Sequence, residues 1–487
     1  MRSLVWFRSD LRTTDNAALH AACAAAPARG VVALFVVSPG EWRAHDVAPV
    51  RLDLVRRSLV ELSAALAKLH IPLLLATAAS AADIPAAVLA VARAHACTDL
   101  FFNREHEVDE RRRDAATIAL FQREGLNAKS FNDQCIVEPG AIRTGGDTYY
   151  TVFSPFKRAF YRHLSERGPL TPLPAPKPQA TTGIHPDPIP PAFEGFESMI
   201  DPALWPAGER VAQARLAGFL AHDVAAYKEA RDVPALAGTS GLAAYLAVGN
   251  ISPRQCVAAA VAANPSGTYD AGPPGVVHWI SEVAWREFYV HILIGFPRVS
   301  MGRAFQPATE RIRWNDAPAH FDAWCRGRTG IPLVDAGMRQ LVATGFMHNR
   351  IRMITAMFLS KNLFLDWRLG ERFFMQRLAC GFLASNNGGW QWSASTGTDA
   401  APYFRIMNPV SQSEKFDPRG DYIRRWVPEL ENVEGPAIHQ PWTLPRLLRD
   451  RLEYPAPIVD LSASRAAAID AFRRLKDSSS HPYQASP

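Results

Sequence analysis

Hydrophobic runs of membrane-spanning length are missing from this 487-residue chain. Nowhere do about 18 apolar residues follow one another, so no transmembrane helix or membrane partner is expected. Clustered cysteine is missing too. Cys23, Cys97, Cys135, Cys256, Cys325 and Cys380 lie far apart, with no Cys-x-x-Cys and no His–Cys cluster. That spacing argues against structural zinc and a disulfide scaffold, leaves no metal site expected, and fits a reducing cytoplasm. No Gly-x-Gly-x-x-Gly follows any strand-like run, so a dinucleotide site of the common type is not expected. There is no secretory signal pattern before the strand-like Leu4-Val5-Trp6-Phe7, and no internal repeat. A strong charge of one sign is also lacking, since 53 basic residues face 47 acidic ones.

What is present divides along the chain. Over residues 1–135, apolar runs at Leu4–Phe7, Val31–Val37, Ile71–Ala76, Leu100–Asn103 and Ala128–Phe131 alternate with amphipathic stretches. Those stretches lie near Asn16–Ala26, Val50–Leu69, Asp83–His95 and Val108–Glu124. Short buried runs separated by helices predict an α/β domain with a doubly wound parallel sheet. Residues 136–200 read as a connector, with nine prolines between 169 and 191. Residues 201–476 read as a large all-helical domain, with periodic segments at Val276–Leu293, Leu333–Thr344, His348–Leu363 and Glu371–Phe382. Residues 477–487 read as a flexible tail. Length alone predicts two or three domains.

The helical part carries the chemistry. From Arg298 to Met353, nine arginines stand against four acidic residues, an excess suited to phosphate backbones or to a solvated face. Trp279, Glu282, Trp285, Arg286 and Tyr289 recur at spacings of three and four, so much of this set shares a helix face. A carboxylate buried among indoles must be bonded or held for a ligand. Asn349 and Met353 are four apart and point the same way. Residues 386–409 follow neither the period of a helix nor that of a strand. They read as a long functional loop built on Asn386, Gly388, Gly389, Trp390 and Trp392. Trp314, Trp367 and Trp390 lie on separate elements, and each alone reads as ordinary burial.

Four motifs tie these residues together: Trp-Arg-Glu-Phe-Tyr at 285–289, Met-His-Asn-Arg at 347–350, Asn-Asn-Gly-Gly-Trp-Gln-Trp at 386–392, and Thr-Gly-Thr-Asp-Ala-Ala-Pro-Tyr-Phe-Arg at 396–405. With Leu4-Val5-Trp6-Phe7-Arg8-Ser9-Asp10-Leu11-Arg12, they make the chain resemble the photolyase/cryptochrome family, most of all bacterial class I cyclobutane pyrimidine dimer photolyases. The resemblance implies an N-terminal antenna domain and a C-terminal helical domain that holds FAD and binds double-stranded DNA containing pyrimidine dimers. It implies light-driven dimer repair by a cytoplasmic monomer. The catalytic set it implies is Glu282, Asn349, Met353 and Asn386, with Trp314, Trp367 and Trp390 passing electrons. FAD contacts implied are Tyr227, Thr239, Ser240, Gly241, Leu242, Ala243, Trp279, Arg352, Cys380, Gly381 and Phe382. DNA or dimer contacts implied are Arg231, Trp285, Arg286, Tyr289, Arg350, Trp392, Arg405 and Gln412. His45, Asp109 and Glu110 would hold an antenna, 5,10-methenyltetrahydrofolate.

The chain departs from the family at the flavin. Thr-Ser-Arg-Leu-Ser is here Thr239-Ser240-Gly241-Leu242-Ala243, and Asp-Gly-Asp is Cys380-Gly381-Phe382. Weaker FAD binding is expected, with Arg352 deprived of its carboxylate. On the antenna side, a Cys-Lys pair is replaced by Ser300-Met301. Two other readings are a non-catalytic cryptochrome-like light receptor and a DNA-binding homologue without flavin. Asn386, where plant cryptochromes carry Asp and insect ones Cys, argues with Asn349 and Met353 for repair.

Overall fold

The computed structural model describes residues 2–25 and 27–479. Five strands, β1 (Arg2–Phe7), β2 (Val31–Val37), β3 (Leu73–Thr77), β4 (Cys97–Asn103) and β5 (Asn127–Phe131), form one parallel sheet in the order β3-β2-β1-β4-β5. The apolar runs that signal these strands are buried by helices α1 (Ala17–Ala24), α2 (Pro39–Ala44), α3 (Pro49–Ala67), α4 (Ile84–Ala94) and α5 (Val108–Arg123). Trp6, Leu34, Leu74, Val88, Phe102 and Phe121 share one core cluster. Asn16 caps α1 by accepting from Leu19 N–H at 3.0 Å.

The strand order reverses between β1 and β4, and a polar network fills the crevice there. Arg12 Nη2 reaches both oxygens of Asp133 at 2.7 and 2.6 Å. Arg254 adds bonds to Asp133 at 3.2 Å and to Asp15 at 3.1 Å. Asn103 Nδ2 donates to Asp10 at 2.7 Å and to Asn16 at 2.9 Å.

The chain divides into two compact units. The first contains Met1–Lys228, Ser240–Pro297 and Ala379–Ala384. After the sheet it continues through α6 (Phe153–Glu166) and α7 (Glu209–Gly218) to the first half of α8 (Tyr227–Ala230), and then holds α9 (Ala243–Val248), α10 (Pro253–Ala262) and α11 (Pro274–Gly295). Residue 136 onward is therefore not all linker, since α6 lies within it. The proline-rich stretch has no helix or strand. Gln179 bonds the backbone of Val31 and His70, and Asp187 bonds Leu73 and Leu75 along β3. Glu287 on α11 accepts from Ile136 N–H at 2.9 Å.

The second unit contains Glu229–Thr239, Arg298–Leu378 and Ser385–Pro487. Its helices are α12 (Pro318–Cys325), α13 (Pro332–Thr344), α14 (Asn349–Met357), α15 (Trp367–Met375), the greater part of α16 (Leu383–Ala394), α17 (Pro409–Phe416), α18 (Asp421–Trp426), α19 (Arg446–Arg449) and α20 (Leu461–Ser479). Two expectations are overturned here. Residues 386–394 are helical rather than looped, because α16 is buried on several sides and so shows no apolar stripe. The helix expected at Glu371–Phe382 starts earlier, at Trp367, where Asp366 accepts from Arg368 N–H, and stops at Met375. Of the expected tail, residues 477–479 extend α20, and 480–487 lie outside the described residues. Among the described residues no helix is long and apolar enough to cross a membrane.

Candidate functional site

In the first unit, the periodicity of α11 sorts its side chains by depth. Trp279 is buried against Phe219 with ring centroids 5.3 Å apart, and Tyr227 meets the same phenylalanine edge-on at 5.6 Å. Glu282 is half-buried, and its Oε1 lies 3.9 Å from His278 one turn earlier. Trp285, also half-buried, is backed by Phe153 in a stack of 3.6 Å and 12°, with Tyr289 at 5.5 Å. That backing fixes the indole as a rigid plate. Arg286 donates to the Gln134 carbonyl and lies 4.5 Å over the ring of Phe382.

Cys380 and Phe382 are buried, and neither carries the carboxylate of the usual run. Between them, Gly381 offers its carbonyl to Arg51, which also donates to the Ala247 carbonyl at 3.2 Å. Burial lowers the pKa of Arg51, with carboxylates farther off opposing. Gly241 adopts φ +64, and Leu242 follows in right-handed geometry. Ser240 and Gly241 are half-buried, Leu242 is buried and Ala243 is exposed. The three antenna candidates do meet. His45 Nδ1 lies 3.1 Å from Glu110, and Nε2 lies 3.7 Å from Asp109. The bond to Glu110 raises the His45 pKa to about 9, against burial.

In the second unit, His348 caps α14 through Nδ1, which accepts from Arg350 N–H at 3.2 Å. Asn349 is exposed and Met353, one turn on, is half-buried. Arg350 pairs with Asp232 at 2.7 Å and lies 4.5 Å over Phe416, while Arg231 lies 3.8 Å from the same carboxylate. Arg352 is not the stranded cation expected from the loss of the acidic pair. It is half-buried, and its Nε donates to the Met347 carbonyl at 2.7 Å. Thr239 is half-buried, Arg405 is exposed, and Gln412 on α17 is half-buried.

Helix α16 is held by amides. Asn386 donates to the Glu371 carbonyl at 3.0 Å, Asn387 donates to the Glu371 carboxylate at 2.9 Å, and Gln391 donates to Asn387 at 2.8 Å. Burial raises Glu371 to about 7, with the Asn387 bond opposing. Trp390 is buried, 4.9 Å from Phe374 and 6.0 Å from Trp324. Gly370 leaves it room, since a Cβ there would stand 2.1 Å from the indole. Trp367 is three residues before Gly370 on α15, so it shares the face that Trp390 touches. Trp314 lies 5.1 Å from Phe364, and the next residue, Asn315, bonds the Phe364 carbonyl at 2.8 Å. Trp392 is half-buried on α16.

Comparison with known proteins fits both halves. A family model described as "DNA photolyase" matches residues 3–179, and one described as "FAD binding domain of DNA photolyase" matches residues 279–474. The deoxyribodipyrimidine photo-lyase of Salmonella typhimurium is 45% identical over 97% of this chain and 98% of its own length. The chain belongs to the DNA photolyase family. The Escherichia coli photolyase is 44% identical over the same shares of the two chains. The crystal structure of a class III photolyase from Agrobacterium tumefaciens superposes with a TM-score of 0.84 at 33% identity, covering 98% of each chain.

As a photolyase the chain takes FAD, and its donors suit most of that molecule. A positive-φ glycine followed by a right-handed residue presents successive backbone N–H groups, a concavity suited to diphosphate. Among the described residues the N–H groups of Ser240, Gly241 and Leu242 donate to no backbone carbonyl outside regular helices. Buried Trp279 supplies a flat wall. Missing are the carboxylates at 380 and 382 and, in the run 239–243, the family's arginine and second serine, whose places Gly241 and Ala243 take. Sequence reasoning passed over Glu371, Gln391, Phe153 and Asp232, and met Asn387 only as an amide beside the Trp390 and Trp392 pair. An Asn387–Gln391 pair four apart on one helix was a signal for part of that set.

Proposed function

We infer that this photolyase repairs cyclobutane pyrimidine dimers in DNA when illuminated. The match to deoxyribodipyrimidine photo-lyases along nearly the whole of both chains carries this reading. Reduced FAD, when bound, supplies the electron that light sends to the dimer and that returns once the ring has opened. The residues of this chain bind, orient and screen. In the first unit, Trp285 offers its fixed face to an extruded base, a contact worth about 1–3 kcal/mol. Glu282 bonds the polar edge of that base, and extrusion costs least where the lesion already weakens stacking. In the second unit, Asn349 bonds the dimer, Met353 packs on it, and Trp392 gives a second flat face.

Arg350 and Arg231, aimed by Asp232, take phosphates beside the lesion together with exposed Arg405 and with Gln412, which makes binding salt-dependent. Arg286 and Tyr289 are further contacts for the DNA, with Tyr289 flanking the Trp285 plate. Trp314, Trp367 and Trp390 bring electrons inward to restore the reduced cofactor, and Asn386 stands by the flavin ring, its amide fixed by Glu371. In the first unit the cofactor-binding residues are Tyr227, Ser240, Gly241, Leu242, Ala243, Trp279, Cys380, Gly381 and Phe382, and in the second they are Thr239 and Arg352. His45, Asp109 and Glu110 hold a folate antenna. A monomer in the cytoplasm completes the reading, and the six free cysteines fit that compartment.

The test is repair of a dimer-containing duplex by FAD-loaded protein under blue light and in darkness. Repair confined to light supports the reading. Dimer binding without repair under light sinks it and favours the non-catalytic homologue. Glu282→Ala is expected to lower repair per absorbed photon with flavin retained, and an unchanged quantum yield would remove Glu282 from the mechanism.

A further inference from the structure

The run Ser240-Gly241-Leu242-Ala243 has no cationic side chain of its own. A cation nevertheless stands beside it, delivered by another element of the first unit. Arg215, in the last turn of α7, brings Nη1 so close that a Cβ on Gly241 would lie 2.7 Å away. The guanidinium carbon lies 5.6 Å from the ring centroid of Tyr245 on α9, which restrains the side chain from the other side. Among the described residues Arg215 makes no ion pair with a carboxylate, and it is exposed. Tyr245 is fully buried, and burial raises its pKa while the charge of Arg215 opposes the rise.

We propose that Arg215 is a binding residue for the diphosphate of FAD, replacing from α7 the charge that the run 240–243 lacks. The inference rests on the FAD reading above. Its logic is steric and electrostatic together. Glycine at 241 supplies both the φ of +64 and the space that the guanidinium occupies, so a side chain at 241 would push the Arg215 guanidinium out of this position. Backbone N–H groups without partners form the concavity, and a planar guanidinium at its rim adds charge-assisted bonds to phosphate oxygens. The concavity alone would take a diphosphate weakly; Arg215 adds one positive charge against the two negative charges of the ligand.

The experiment compares binding of FAD and of riboflavin, which has no phosphate, to flavin-stripped full-length protein. Flavin fluorescence is the readout, across a range of salt. Arg215→Gln is expected to weaken FAD binding by about 10–100-fold, to flatten its salt dependence, and to leave riboflavin affinity as it was. Arg215→Lys, which keeps the charge, should retain most of the salt dependence. An FAD affinity for Arg215→Gln within twofold of the parent would overturn the inference, as would equal losses for both flavins, which would mean a merely structural role. Parent protein that binds neither flavin would sink the FAD reading itself, and this inference with it.

Discussion

Two buried polar networks, one in each unit, are built on opposite terms. At the reversal point of the sheet, carboxylates meet arginines. Burial works against the charge of Asp133, but Arg12 and Arg254 hold its pKa below the ordinary range. Behind α16, Glu371 is buried with Asn387 as its bonded neighbour, and it rises to about 7. In the first, the Arg12–Asp133–Arg254 clamp keeps its charge near neutrality. The second sits at the edge of protonation, with Glu371 on α15 bonded to the helix that carries Asn386 and Trp390. Asp10, beside that clamp and bonded by amides rather than by an arginine side chain, rises to about 6, because burial and repulsion from Asp133 outweigh the Arg8 N–H bond and the charges of Arg8 and Arg12. A buried carboxylate stays charged where a cation faces it and drifts toward neutrality where amides do.

The largest test of that contrast is Arg12→Met. It leaves Asp133 buried with one weaker partner, and a loss of about 3–5 kcal/mol in urea unfolding is expected. A loss below about 1 kcal/mol, the size of an exposed pair, would dissolve the distinction. Next comes Asn387→Leu, which strands the Glu371 carboxylate. Above pH 7 it should cost about 1–3 kcal/mol, and the cost should shrink as acid neutralises Glu371.

Glu371→Gln works the other way. Glu371 has a folded pKa of about 7 against an ordinary 4.5. Its favourable contribution is therefore complete below 4.5 and fades as pH rises through 7. The variant should lack that fade and gain on the parent above pH 7, as melting curves at several pH values would show. The smallest effect is expected at half-buried His45, raised from 6.5 to about 9 by Glu110. Its contribution is full below 6.5 and lost through 9, and Glu110→Gln should abolish that slope at a cost under about 1 kcal/mol. A slope that survives the variant would assign it to other groups.

The two units also differed in how far their sequences could be read. The sheet was legible because strands such as Val31–Val37 are unbroken apolar runs, and observed and expected bounds coincide there. Helix α11 was legible because its apolar residues recur at helical spacing and α11 carries them. Helix α16 was not, because Asn386, Asn387, Gly388, Gly389 and Gln391 are poor or neutral helix formers held by partners on other elements. Of the candidate residues, the meeting of His45 with Glu110 follows from the resemblance. The partners of Arg350 and Arg231 do not, because Asp232 lies in a stretch with no motif of its own. Nothing in local sequence shows that Phe153 backs Trp285, since the two are far apart along the chain.

The proline-rich stretch also shapes how the chain is made. Strand β3 ends the sheet on one side, and Asp187 binds its Leu73 and Leu75 backbone. Until residue 187 has been synthesised, that rim is a template on which another unfinished copy could add a strand. Prolines around the bonding residues cover the rim without presenting a new one, because they cannot donate to a further ladder. Release of the nascent chain before this strap emerges would leave a sticky fragment, so aggregation during synthesis should depend on whether translation has passed residue 187.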